Sequence, residues 1–145
     1  MPDESGGNMP NMEEGSLSSR IFLPPGGASL SCAEAREAVR DILASLKPSP
    51  AGLDNVLTVV TELISNASRH GGGATGLQIT ARPDAVTVEV SDRSPSPPRI
   101  QPWAPDVPGG FGWRLVNQLA TTGVQIHQGG KTVTATLTAE QTGQG

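Results

Sequence analysis

Apolar positions along the chain follow two periods. At Ala35, Ala38, Val39, Ile42, Leu43 and Leu46 they recur every three or four residues, which predicts a helix over 31–46 with Ser29 or Ser31 as N-cap and Pro48 as its stop. The spacing resumes after Pro48-Ser49-Pro50 at Leu53, Val56, Leu57, Val60, Ile64 and Ala67. This second helix should run out at Gly71-Gly72-Gly73, where glycine is free to take the positive φ of a C-cap. Helical spacing returns at Trp113, Val116, Leu119 and Ala120.

Elsewhere the period is two. Leu77, Ile79 and Ala81 alternate with polar neighbours, as do Val86, Val88 and Val90 after Arg82-Pro83-Asp84, so a hairpin with one buried face is expected. Strands near 124–128 and 132–137, joined through Gly129-Gly130, make a second hairpin with Val133, Ala135 and Leu137 on one face and threonines on the other. Residues 20–23 are short and apolar and meet Pro24-Pro25, which suits an edge strand. Residues 1–18 offer almost nothing to bury and read as a disordered tail, 139–145 as a flexible one, leaving a single domain over 19–138. Residues 94–109 hold too many prolines for helix or central strand and read as a long loop of the kind that forms a functional lid or stays disordered.

Strand, two helices, hairpin, long loop, helix and hairpin in that order predict an α+β fold. The expected architecture is a two-layer α/β sandwich, with a mixed, mostly antiparallel sheet and helices on one face. A doubly wound nucleotide fold is disfavoured, because the strands around 77–81 and 85–91 stand too close for a crossover helix.

Composition narrows the function classes. A net charge of −4 argues against a surface for nucleic acid, and no apolar run approaches the roughly 20 residues of a membrane span. The lone Cys32 cannot form an internal disulfide and reads as a small buried residue of a reducing compartment. A cytoplasmic protein without direct nucleic-acid or membrane contact is the expectation. With no tyrosine and few aromatics, Val, Leu, Ile and Ala must supply the core.

Candidate chemistry gathers at four places. Glu62 and Asn66 lie four apart on the second helix, so they project from one face one turn apart. A carboxylate there can take a proton from a hydroxyl, and an amide oxygen is a hard ligand suited to magnesium; the plain alternative is a solvated helix face. Asp92, ending a buried strand, can accept a hydrogen bond from an exocyclic amino group such as adenine's, or simply cap a turn. Gly109-Gly110-Phe111-Gly112 opens a helix, where free amides and the dipole favour phosphate, although no Gly-Lys-Ser or Gly-Lys-Thr makes it a P-loop. Lys131 and Thr132, after Gly129-Gly130, can bring a cation and a hydroxyl to a nucleotide or form a solvated hairpin turn. Arg69 and His70 read as cations at a helix C-terminus.

In sequence order, T-E-L-I-S-N-A-S-R-H-G at 61–71, V-E-V-S-D at 88–92, G-G-F-G at 109–112 and G-G-K-T at 129–132 resemble the N, G1 and G2 boxes and closing strand of the Bergerat-fold ATP-binding proteins. Within that superfamily of gyrase, the ninety-kilodalton chaperone, histidine kinases and mismatch-repair ATPases, the chain looks most like the anti-sigma-factor serine/threonine kinases of actinobacteria. The resemblance implies ATP and magnesium as cofactors, Glu62 as general base and Asn66 as magnesium ligand. It further implies Asp92 on the adenine amino group, Gly110 and Gly112 near the phosphates, and Lys131 and Thr132 beside the nucleotide. The implied partners are a sigma factor and its antagonist protein, and the resemblance admits a homodimer that no stretch of the sequence itself shows. Two departures stand out: Phe111 and Trp113 occupy positions where the family commonly has Arg and Leu, and Asp92 is followed by Arg93-Ser94-Pro95 without the glycines of histidine kinases. No phosphoacceptor-histidine helix is present, so the chain does not read as a histidine kinase. A binding module that transfers nothing is the alternative reading.

Overall fold

The computed structural model describes residues 11–13, 16–23, 28–70, 72–94 and 110–138, with the backbone alone at 11–13, 110 and 111. Three helices, α1 (Cys32–Leu43), α2 (Pro50–His70) and α3 (Gly110–Leu119), cover one face of a six-stranded sheet. Its strands are β1 (Asn11–Glu13), β2 (Ser16–Phe22), β3 (Ala74–Ala81), β4 (Ala85–Asp92), β5 (Thr121–His127) and β6 (Gly130–Thr138), in the order β1-β2-β3-β4-β6-β5. This is the expected α+β two-layer sandwich.

Two expectations need correction. Every pairing between described strands is antiparallel, so the sheet is not mixed. The reason is topological: hairpins join β3 to β4 and β5 to β6, and β6 turns back beside β4. Residues 11–13 and 16–18, expected in a disordered tail, are strand. A sheet edge recruits backbone N–H and C=O groups and needs few apolar side chains to do so; Leu17 packs partly against the core. Pro24-Pro25, Gly71, the 95–109 stretch and the 139–145 tail lie outside the described residues.

Helix starts follow local chemistry. Ser31 caps α1 through a capping box, its Oγ accepting from the Glu34 N–H at 3.1 Å while its own N–H donates to Glu34 Oε1 at 3.0 Å. A 3-10 turn over Ala44–Leu46 and Lys47 in the left-handed region lead into α2. Pro50 occupies the first turn of α2, where its missing N–H is harmless, and Ser49 accepts from the Gly52 N–H at 3.0 Å. The buried stripe of α2 is wider than expected, adding Val59 and Leu63 and leaving Leu53 partly buried. A central helix flanked by α1 and α3 and laid on the sheet must be apolar over more of its circumference.

Opposed strand residues build the core in rungs: Val86 with Leu137, Val88 with Ala135 and Val90 with Val133. The open face carries polar rungs, with the Thr87 and Thr136 hydroxyls 3.3 Å apart. There Phe22, 59% exposed, lies over Gly76, whose absent side chain makes room for the ring.

Candidate functional site

Strand alternation and helix period decide where each candidate residue points. Glu62 is half-buried and Asn66 buried, one turn apart on α2 as expected. The Nδ2 of Asn66 and the Oγ1 of neighbouring Thr61 are buried without a hydrogen-bond partner among the described residues. Such groups are costly to leave unpaired, so a polar partner at this turn of α2 would be stabilising.

The first turn of α3 leans on the same turn of α2. A side chain at Gly112 would run into the Glu62 carboxylate, so the glycine is what lets the helix start come this close. A carboxylate beside a helix N-terminus is favoured by the dipole. Gly110 opens α3, so backbone amides of its first turn stand near Glu62. Trp113, the first residue of the expected apolar stripe, is buried in the core at the start of α3, and the side chain of Phe111 lies outside the described residues.

Asp92 and Lys131 form the last rung of the apolar row. They sit opposite each other on β4 and β6, in phase with Val90 and Val133, and only 5% and 3% of their surfaces are exposed. The Lys131 Nζ lies 2.8 Å from Asp92 Oδ2 and 3.1 Å from Oδ1, and donates to the Ser94 carbonyl at 3.3 Å. Asp92 Oδ1 also accepts from the Ser94 N–H at 2.9 Å. The close approach of β6 depends on Gly130, where a Cβ would strike the Asp92 carbonyl oxygen.

Thr132 is not brought to Asp92. It faces the open side of the sheet, its Oγ1 2.9 Å from Ser91 Oγ and 3.1 Å from His127 Nε2. Successive strand residues point to opposite faces, so Lys131 and Thr132 cannot both line one pocket. Arg69 and His70 are exposed in the last turn of α2.

These groups share one end of the sheet. β3 starts four residues after α2 ends, and its first residue, Ala74, pairs with Asp92. Gly72 and Gly73, at φ 75° and 104°, make the turn, and the Gly73 N–H closes α2 on the Ala67 carbonyl at 2.8 Å. Arg93 secures it, donating to the Gly72 carbonyl at 3.0 Å and the Ala28 carbonyl at 3.2 Å.

The histidine kinase-like ATPase domain profile matches residues 29–137, well over half of the chain. The chain belongs to that family. The resemblance of its boxes to Bergerat-fold proteins holds at this level, as does the fold class. Among solved structures, the RsbU and RsbW domains of Rv1364c from Mycobacterium tuberculosis are similar at 18% identity and a TM-score of 0.55, covering 83% of this chain and 32% of that one. The histidine kinase domain of the blue-light activated histidine kinase EL346 from Erythrobacter litoralis matches at 16% identity and a TM-score of 0.44, covering 91% of this chain and 72% of that one. At its identity the first of these likenesses is one of fold. No curated protein matches the chain. Among the described residues, no helix is long and apolar enough to cross a membrane.

Sequence reasoning missed Arg93, the need for glycine at 130, and the pairing of Lys131 with Asp92. The last was within reach: Lys131 stands two residues before Val133 and Asp92 two after Val90, so strict alternation puts both on the buried face.

Proposed function

We propose that this histidine kinase-like ATPase domain is an ATP-binding regulator of the anti-sigma-factor kind, which uses Mg-ATP to phosphorylate a serine or threonine of an antagonist protein. The carrying observation is the pairing of Glu62 and Asn66 on one turn of α2, with Glu62 against the first turn of α3. Asn66 fits a magnesium ligand: its buried amide lacks a partner for Nδ2 among the described residues, and a half-turn of the amide presents the oxygen there. Magnesium commonly takes one or two protein oxygens, with waters and nucleotide phosphates completing the shell. When bound with ATP, the ion supplies neutralisation of the phosphate charge.

In this reading the Glu62 carboxylate takes the proton of the antagonist's hydroxyl as that oxygen bonds to the γ-phosphorus and ADP departs. The amides at Gly110 and Gly112 orient phosphate oxygens at the positive end of α3. The added phosphate changes the charge of the antagonist's binding surface, and with it the choice between antagonist and sigma factor as partner. Calorimetric titration with ATP, with and without magnesium, tests the site. Magnesium-dependent binding that disappears in Asn66→Ala supports it, and no binding at millimolar ATP rejects it.

A second reading, a regulatory module that transfers nothing, is favoured by one observation: the Asp92 carboxylate is already held by Lys131 and the Ser94 N–H. Under that reading ATP binds weakly and incubation with radiolabelled ATP labels no partner.

A further inference from the structure

The ion pair at the end of the apolar row has a consequence for nucleotide choice. Asp92 is the buried carboxylate to which an adenine amino group would be offered, and both its oxygens face the Lys131 ammonium, at 2.8 and 3.1 Å. Among the described residues the ammonium in turn has three acceptors, the two carboxylate oxygens and the Ser94 carbonyl, matching its three N–H donors. A bond to the carboxylate is charge-assisted whichever donor makes it, but only the ammonium also neutralises the buried charge, so a neutral aromatic amine is the weaker competitor for these oxygens. Leaving is also unfavourable for the lysine, since it is buried and its charge would lose every partner it has here.

We propose that Lys131 is a specificity-determining residue: it occupies the place at Asp92 that the base's amino group would take, so this chain does not select adenine over guanine through that carboxylate. The inference rests on the nucleotide-binding reading given above. Two features support a built device over an incidental surface pair. The register of β4 against β6 sets Asp92 directly opposite Lys131, and Gly130 lets the backbones close to the distance the pair needs. Selection of ATP, where it occurs, then depends on removing or displacing the lysine.

The test is calorimetric titration with ATP and with GTP of the full chain, the Lys131→Ala variant and the Asp92→Ala/Lys131→Ala double variant. The full chain should bind the two nucleotides within about threefold of each other. Lys131→Ala should bind ATP at least about tenfold more tightly, the size expected of one hydrogen bond to a charged acceptor, with GTP unchanged. The double variant, which leaves no unpaired buried charge, should lose that gain.

Since Lys131→Ala strands a buried carboxylate, thermal unfolding followed by circular dichroism is measured alongside. ATP should raise its melting temperature more than GTP does, and should restore a cooperative transition if the variant is unfolded alone. Native protein that already prefers ATP by tenfold, with no change in Lys131→Ala, overturns the role of Lys131 and leaves the nucleotide site standing. Failure of native and variant chains alike to bind either nucleotide rejects the nucleotide-binding reading and this inference with it.

Discussion

The Glu62 carboxylate occupies the space that any side chain at Gly112 would enter, so the start of α3 and the middle of α2 are fitted to each other at one glycine. Gly112→Ala should therefore push either the carboxylate or the helix start aside. Overpacking of this kind costs about 1–3 kcal/mol, readable as a lower midpoint in urea denaturation. Native-like stability in Gly112→Ala would show that the two helices do not meet so closely.

Removing the acid group while keeping its shape separates binding from transfer. Under the proposed function, Glu62→Gln should bind Mg-ATP as the native chain does while phosphorylation of the antagonist drops roughly 10²–10⁴-fold, the range for loss of a general base. Transfer at the native rate would exclude Glu62 from that role.

Gly130 makes a prediction independent of nucleotide. Gly130→Ala drives a methyl group into the Asp92 carbonyl, so β6 must lift from β4 at the very rung that holds the ion pair. A loss of about 1–3 kcal/mol is expected, together with faster amide exchange at Lys131 and Asp92. Unchanged exchange there would contradict the close approach.

The capping box of α1 carries a pH signature. The Ser31 backbone N–H first, and its hydroxyl second, hold the exposed Glu34 carboxyl below its ordinary value. A carboxyl lowered on folding contributes stability that is present above the unfolded-chain value and is lost as pH falls through the folded one. NMR titration should place the Glu34 midpoint below those of uncapped glutamates, and Ser31→Ala, which removes the hydroxyl but keeps the backbone N–H, should raise it only part of the way. Loss of the cap in that variant should lower stability by about 1 kcal/mol.

The fold was largely legible because each element had a clean period: the α1 stripe, the Val86-Val88-Val90 alternation and the Val133-Ala135-Leu137 alternation each identify an element and its buried face. Residues 11–13 and 16–18 were not, since edge pairing rests on backbone groups that leave little trace in side-chain type. At the site, Glu62 and Asn66 emerged from helix spacing and Asp92 from strand phase. Lys131 and Thr132 were expected together because they are neighbours in sequence, yet alternation sends them to opposite faces. Gly112 and Gly130 were visible as glycines, but the atoms that require them, the Glu62 carboxylate and the Asp92 carbonyl, come from elements distant in sequence.

Arg93 gives the end of the sheet a mechanical character. Its guanidinium joins Gly72, just past α2, to Ala28, ahead of α1, while the Leu30 N–H donates to the Ala74 carbonyl at 2.9 Å and the Leu23 N–H to that of Thr75 at 2.9 Å. Strands β2, β3 and β4 and the approaches to two helices are thereby knotted at a single corner, next to the residue from which the 95–109 stretch departs. Such a corner loosens as a whole or stays shut, so a change at Arg93 is passed to the turn that closes α2 on Ala67, the neighbour of Asn66.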